Sequence, residues 1–326
     1  MASGESGTCR CRASGRGGRM PLTFGSHTRL LVVAPHPDDE TISAGELIQH
    51  VQQAGGEVEI LLLTDGDNNP WPQRWVERRL WVGPAERERW GRRRRLEVGQ
   101  ALKTLGVRPE ALHPLGLPDM GLTAWLRFHL DALLEHVAGR LSTFQPTHVA
   151  MPSLGDRHPD HGAAHVLMRL ALAHWTDSIP AVLTYLVHGR DPREGEVVVL
   201  TPGLRMHGVK LAAMEAYASQ MALSGERMRA LADRPEQFRK IRALRREARV
   251  LPWQLATIRQ PWLTLTVVDA GGARSFRGSA APVTASPGGG VVLDLAPPPP
   301  GSPRFAKLHM DLRSPWIFDR WGWSEI

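Results

Sequence analysis

Between Thr28 and about Tyr185 the apolar positions fall into short runs that alternate with stretches of helical spacing. RLLVVA (29–34), VEILLLT (58–64), THVAMP (147–152) and AVLTYLV (181–187) are near-continuous apolar runs of strand length, the pattern of strands covered on both faces. TISAGELIQHVQQAG (41–55) reads as a helix closed by glycine. RRRRLEVGQALKTLGV (92–107) reads as another, with Leu96, Ala101, Leu102 and Leu105 near a 3–4 spacing and Gly106 as its stop. TAWLRFHLDALLEHVAGRL (123–141) and HPDHGAAHVLMRLALAHW (158–175) predict two more helices.

Strand–helix–strand alternation of this kind predicts an α/β, Rossmann-like fold: a largely parallel sheet with helices on both faces. Beyond Pro202, GVKLAAMEAYASQMA (208–222) predicts a helix, and a charged stretch follows to about Arg249. The pattern then changes. WLTLTVV (262–268), GGVVLDL (289–295) and RFAKLHMDL (304–312) read as strands joined by Gly/Pro-rich connectors, among them PPPP at 297–300. The expected organisation is a disordered basic arm (1–27), a main α/β domain (28–250) and a small β-rich C-terminal extension (251–326).

Composition narrows the classes. At 326 residues the chain can bury a large core, and 42% hydrophobic with 22% charged residues is ordinary for a soluble globular protein. No run approaches the roughly 18–20 apolar residues of a membrane span. The net charge of +7 comes mainly from arginine and favours anionic partners without choosing among them. Cys9 and Cys11, the only cysteines, lie in the Gly/Ser/Arg-rich arm, so neither disulfides nor a Cys-based zinc site hold the fold. The arm has no apolar stretch of the secretory type, which leads to the expectation of a cytoplasmic protein.

Chemistry concentrates at two strand ends. In open α/β sheets, ligands bind beyond the carboxyl ends of strands, where the strand order reverses. The strands at 29–34 and 147–152 run into PHPDDE (35–40) and GDRHPDH (155–161). His36 and Asp39 are three apart at a strand-to-helix turn, and so are His158 and His161, with Pro159 suited to a helix's first turn. Two imidazoles and a carboxylate make a common zinc set that leaves a position open for water.

Together the two motifs resemble the LmbE-like/PIG-L family of metal-dependent N-acetylglucosamine deacetylases. Two further stretches fit: an Arg-x-x-Glu helix (Arg94–Glu97) leading through Leu105–Val107 to LGLPDMGL (115–122), and KLAAMEAYASQ (210–220). The resemblance covers roughly residues 28–222. It implies His36, Asp39 and His161 as ligands of Zn²⁺, with Fe²⁺ or another divalent metal as alternatives, and Asp38 as general base. It further implies that His158 stabilises the oxyanion or protonates the leaving amine, as a cation favoured by an adjacent Asp160 carboxylate. Where some members carry an aromatic hydroxyl, this chain has Asp156, which reads as a turn or helix-cap residue.

Around this core, Glu40 reads chiefly as a helix-terminus acid and His165 as a core or surface histidine. Asp65 and Asp67 are explained nearly as well by turn chemistry as by the site. His188, at a predicted strand end, is a candidate substrate contact. The segment 68–95 holds Trp71, Trp75, Trp81 and Trp90 among many arginines. It reads either as a lid over a phosphorylated or lipid-linked sugar or as a helical hairpin with its tryptophans packed inward. Arg94 is its best candidate for substrate contact. The tryptophans 253, 262, 316, 321 and 323 read as core formers before a carbohydrate platform.

The implied function is hydrolytic removal of acetyl from an N-acetylated amino sugar or glycoconjugate, with no nucleic acid expected as partner. Two alternatives stay open: a metal-dependent amidase or phosphoesterase acting on another small molecule, and a non-enzymatic basic protein on an anionic membrane or nucleic acid.

Overall fold

A computed structural model describes residues 22–175, 179–189, 196–200, 203–241, 250–286, 290–310 and 320–326. Its centre is a seven-stranded sheet. In chain order the main elements are β1 (Arg29–Ala34), α1 (Asp39–Gln53), β2 (Glu57–Thr64), α2 (Pro70–Glu77), α3 (Pro84–Thr104) and β3 (Leu112–Leu117). Then come α4 (Leu122–Phe128), α5 (Leu130–Phe144), β4 (His148–Pro152), α6 (Pro159–Ala173), β5 (Ala181–Tyr185) and β6 (Glu196–Val199). The sheet is completed after α7 (Leu204–Met214) and α8 (Ala218–Ala232) by β7 (Gln237–Ile241).

The strand order is β3-β2-β1-β4-β5-β7-β6. The first five strands run parallel, and β7 and β6 add antiparallel at one edge. From β1 the chain builds outward to β2 and β3, then returns to lay β4 against β1's other side, with Leu30 opposite His148 and Val32 opposite Ala150. The order therefore reverses between β1 and β4, which is where ligands gather in open parallel sheets.

Strand alternation supplies the two layers. Leu30, Val32 and Ala34 of β1 join the cluster containing Ala44 and Leu47 of α1, Val98 of α3 and Ala213 of α7. Leu31 and Val33 face the opposite cluster, with Leu133 of α5 and Val166 of α6. All five are fully buried, and each leucine or valine contributes about 1.5–3 kcal/mol by leaving water.

The C-terminal chain adds β8 (Val250–Leu251), β9 (Thr264–Asp269), β10 (Gly272–Arg277), β11 (Val283–Ala285), β12 (Val291–Leu293), β13 (Phe305–His309) and β14 (Trp323–Glu325). These form two small antiparallel sheets, β10-β9-β13-β14 and β11-β12-β8, around a core of their own. The first sheet also packs on the main layer: Val268, Phe305 and Trp323 join the α6 side of the core. A Cβ on Gly162 of α6 would lie 2.9 Å from Trp323 Cδ1, so α6 meets β14 at a glycine. Arg169 of α6 grips the Glu325 carboxylate with two hydrogen bonds of 2.7 and 3.1 Å.

Several expectations need correction. Leu22 and Phe24, placed in the disordered arm, are buried in the main core, with the Phe24 ring edge-on to His148; residues 1–21 lie outside the described residues. The helix read over 123–141 breaks at His129, because α4 turns to lie against β9 and β10 as well as α6. The helix read over 208–222 is two helices, α7 and α8, parted around Tyr217. Strands β3, β6 and β7 had no predicted counterpart. Of the C-terminal tryptophans, Trp323 is buried and Trp253 and Trp321 pack on the small core, but Trp262 is exposed; Trp316 lies outside the described residues.

Candidate metal and catalytic site

Both His/Asp motifs sit at the reversal, one after β1 and one before α6. The first begins at a strained turn: Asp38 has φ 132°, a backbone conformation unusual for a non-glycine residue. Its neighbours over-determine that conformation. The Glu40 carboxylate accepts the Asp38 N–H at 3.2 Å, and Arg94 Nη2 donates to Pro37 O at 2.6 Å and to Asp38 Oδ2 at 2.9 Å. Arg94 Nη1 also donates to Gly66 O at 3.0 Å. Gly66 must be glycine, because a Cβ there would sit 1.7 Å from that nitrogen. Strain held this way is a common mark of functional turns.

The three residues implied as ligands converge. Asp39 Oδ2 lies 3.1 Å from His36 Nδ1 and 3.1 Å from His161 Nε2. Each imidazole is backed on its far nitrogen. His36 Nε2 faces Asp119 Oδ1 at 3.2 Å and Asp160 Oδ2 at 3.3 Å, and His161 Nδ1 faces Asp156 Oδ2 at 3.1 Å. A carboxylate on the far nitrogen fixes which nitrogen presents its lone pair, and this is the usual support of a metal-binding histidine.

The donor set fits a divalent cation. His161 is fully buried, and neither ring nitrogen reaches hydrogen-bond geometry although Nε2 lies 3.1 Å from Asp39 and Nδ1 3.1 Å from Asp156. Burial alone would depress the His161 pKa, but Asp156 and Asp39 outweigh it and push it up to about 10. Burial opposes His36 likewise, and Asp119, Asp160 and Asp39 hold it well above its usual range. Carboxylates so arranged demand positive charge between them, which a metal ion supplies as readily as protons do. His36, Asp119 and Asp160 also sit close enough to suggest a second ion. Hydrogen bonds already account for those carboxylates: Asp160 accepts the N–H groups of Met120 at 2.7 Å and Leu122 at 3.1 Å, and Asp119 accepts from Asn68 N at 3.3 Å. His36, His158 and His161 are also close enough to hold an ion, and that group overlaps the His36–Asp39–His161 set, so among the described residues the geometry points to one ion site.

The second motif differs from expectation. Asp160 does not orient His158 through its carboxylate; its backbone N–H donates to His158 Nδ1 at 3.2 Å as His158 caps α6. Nor is His158 cationic: burial, with the charges of His36 and His161, holds its pKa well below the usual histidine range. Since Nδ1 accepts, the neutral ring carries its proton on Nε2. Arg94, expected at the substrate, lines the pocket and also bonds Asp38 and two carbonyls through its Nη atoms. His188 lies beside the site, its ring centroid 5.7 Å from that of His158 and 5.3 Å from that of His161.

Other residues acquire clear tasks. Asp156 accepts His158 N–H at 2.9 Å, the turn role expected, and also accepts the N–H groups of Val187 and His188 while backing His161. Asp67 accepts Asp119 N–H at 2.9 Å, and Asp65 pairs with Arg95. Glu40 is fully buried and accepts from Thr41 and Tyr217, more than a helix-end acid would need. His165 is a buried structural histidine whose Nδ1 meets Pro152 O at 2.9 Å. Three residues from Arg94 on α3, Glu97 accepts both the N–H and the hydroxyl of Ser219, at 2.9 and 2.5 Å, setting Gln220 at the pocket wall. Asp119 was missed as a site residue; its one sequence signal is a carboxylate just past a strand end in LGLPDMGL.

These groups open into a pocket of about 220 Å³ lined by His36, Asp38, Asn68, His158, His188 and Gln220 among others. The 68–95 segment stands beside it as α2 and the first half of α3. Its tryptophans do not pack inward as a hairpin core: Trp71, Trp75 and Trp81 are 50%, 66% and 84% exposed, and only Trp90 is buried.

Residues 31–172 match the family described as PIG-L, GlcNAc-PI de-N-acetylase. That matched stretch, a PIG-L (LmbE-like) family domain, holds both His/Asp motifs. Among curated proteins it is 30% identical over 158 residues to the 1D-myo-inositol 2-acetamido-2-deoxy-alpha-D-glucopyranoside deacetylase of Mycolicibacterium smegmatis, covering 44% of this chain and 53% of that protein. The chain spans about half the length of the first curated relatives it matches. Among solved structures, the deacetylase of the antimicrobial A40926 pseudoaglycone shares the fold with a TM-score of 0.52 at 21% identity, over 68% of this chain and all of that one. The N,N'-diacetylchitobiose deacetylase of Pyrococcus horikoshii does so with a TM-score of 0.50 at 19% identity, over 66% and 84%. No helix among the described residues is long and apolar enough to cross a membrane.

Proposed function

We propose that this chain is a metal-dependent hydrolase that removes the N-acetyl group from an N-acetylglucosamine-type sugar or glycoconjugate, with zinc as its ion, Fe²⁺ being the alternative. The observation that carries this reading is the convergence of His36, Asp39 and His161 at the edge of a pocket that His36 and Asp38 line. The names of its relatives point the same way. A divalent cation held by those three residues would supply a water of lowered pKa and polarise the amide carbonyl.

The remaining work falls to the protein. Burial, reinforced by Asp39 and Glu40 and opposed by Arg94, pushes Asp38 up to about 7, where a carboxylate both accepts and returns a proton near neutrality. Arg94 holds that carboxylate in place. His158, neutral and bearing its proton on Nε2, donates a hydrogen bond towards the carbonyl oxygen as charge develops there. The proton that Asp38 has taken up is the one returned to the departing amine. His188 and Gln220 line the space for the sugar ring.

The test is acetate release by metal-loaded protein from N-acetylglucosamine, N,N'-diacetylchitobiose and N-acetylglucosaminyl-inositol, with Asp38→Asn alongside. The reading expects turnover of at least one sugar and a loss of 10²-fold or more in the variant. Full activity of Asp38→Asn would overturn the general-base assignment.

A further inference from the structure

The last strand of the C-terminal sheet meets the helix that bears the second motif. Gly162, His165 and Arg169 stand at i, i+3 and i+7 of α6 and so share one stripe of it. Each has a partner on the sheet. Trp323 of β14 closes on Gly162, the residue after His161: a Cβ there would fall 2.9 Å from the indole Cδ1, but 3.7 and 3.8 Å from the tryptophan's Cγ and Cβ. The Phe305 ring of β13 stands edge-on to His165 with centroids 6.2 Å apart, and Glu325 accepts both hydrogen bonds from Arg169.

The sheet's side of this contact is firmly held. Trp323 is buried and pairs with Lys307 in the β13–β14 ladder, and Lys307 Nζ lies 5.9 Å from its ring centroid. Glu325, on the same face of the strand, pairs with Phe305 while tied to Arg169. An indole fixed at its backbone and its ring retreats little, so displacement at this contact passes to α6. The first turn of that helix carries His158 as its cap, then Asp160 and His161. His161 Nε2 reaches to 3.1 Å from Asp39 Oδ2 across the seam between β4 and β1. A small advance or retreat of α6 therefore alters the spacing of the three converging groups.

We propose that Trp323 is a positioning residue for the metal centre: by bearing on Gly162 it sets how far α6 advances, and so where His161 stands relative to His36 and Asp39. The C-terminal extension lies beyond the family-matched stretch 31–172, yet it becomes a working part of the site rather than an appendage. The proposal rests on the metal-dependent reading of those three residues and adds to them a side chain from the far end of the chain.

The test titrates the full chain with Zn²⁺ to obtain its Kd and records the visible absorption bands of the Co²⁺-loaded form, which report ligand geometry. Gly162→Ala should weaken Zn²⁺ binding about tenfold or more, the usual effect of disturbing a ligand's support, and change the Co²⁺ bands. Alanine is the better helix former, so a weakened helix cannot account for that loss. Gly162→Ala/Trp323→Val moves volume from the indole to the helix and should recover affinity to within a few-fold of wild type, whereas Trp323→Val alone should stay weak. Leu293→Ala, in the core of the other small sheet, should lower the melting temperature and leave both readouts unchanged. Should Gly162→Ala fail to fold, Glu325→Gln reads the same link with the packing kept, and its Zn²⁺ binding should be several-fold weaker than wild type. Wild-type affinity in Gly162→Ala or in Trp323→Val, no recovery in the double variant, or an equal loss in Leu293→Ala overturns the proposal alone; so does wild-type affinity in Glu325→Gln where Gly162→Ala does not fold. A wild type that binds no Zn²⁺ sinks the proposal together with the metal-dependent reading.

Discussion

Arg94 Nη2 stands 2.9 Å from Asp38 Oδ2, with both side chains almost wholly out of solvent. Removing the guanidinium leaves a buried carboxylate and two carbonyls without their donor. Arg94→Ala should cost about 3–5 kcal/mol of stability and reduce kcat more than it raises KM. The pH profile carries the sign. Arg94 lowers the Asp38 pKa, so losing it raises that pKa, and the acid limb of kcat/KM must move to higher pH. An acid limb that stays in place in Arg94→Ala would show that Asp38 is not the titrating base.

Metal retention should separate the two aspartates of the first motif. His161→Ala and Asp39→Ala are expected to bind well under 0.1 ion per chain, about what loss of a tetrahedral donor implies, whereas Asp38→Asn should keep its ion. Elemental analysis of the purified variants decides this. Stripping the wild type with chelator should lower its melting temperature, since an ion at 1,000 times its Kd stabilises by about 4 kcal/mol.

Asp156 touches His161 from behind, at 3.1 Å. Asp156→Asn keeps an acceptor for the backbone N–H groups but removes the charge, so metal affinity should fall about 10–100-fold with the fold intact. A competition titration against a chromophoric chelator measures it, and an unchanged affinity would show that Asp156 serves only the loop.

The Glu97–Ser219 pair predicts a binding effect without a metal effect. Ser219→Ala removes the 2.5 Å bond to Glu97 and leaves the 2.9 Å bond from its N–H as the one hold of that carboxylate on the start of α8. It should cost about 1–2 kcal/mol of stability and raise KM several-fold as Gln220 shifts, with metal content unchanged.

Strands β1, β2, β4 and β5 and both His/Asp motifs were legible because buried strands leave uninterrupted apolar runs and because their polar ends break those runs abruptly. Less visible elements had mixed signals. β3 contains Pro114 and Gly116 in a sheet-edge strand, and β7 hides Phe238 among Arg239 and Lys240. Breaks such as the one at His129 answer to the C-terminal sheet, which local spacing does not register. The same holds for partners: nothing adjacent in sequence says that Arg94 belongs to Asp38, Asp119 to His36 or Glu97 to Ser219. Three-dimensional closure creates those pairs, and it gives Arg94, which also lines the pocket, the task of holding the first motif.

The order reversal between β1 and β4 has a further consequence. His36 and Asp39 hang from one strand and His161 follows the other, so a bound cation would act as a rivet through the seam between them. Departure of the ion should then require that seam to gape, and amide protons along Leu30–Val32 and Val149–Ala150 should exchange more slowly once the cation is in place.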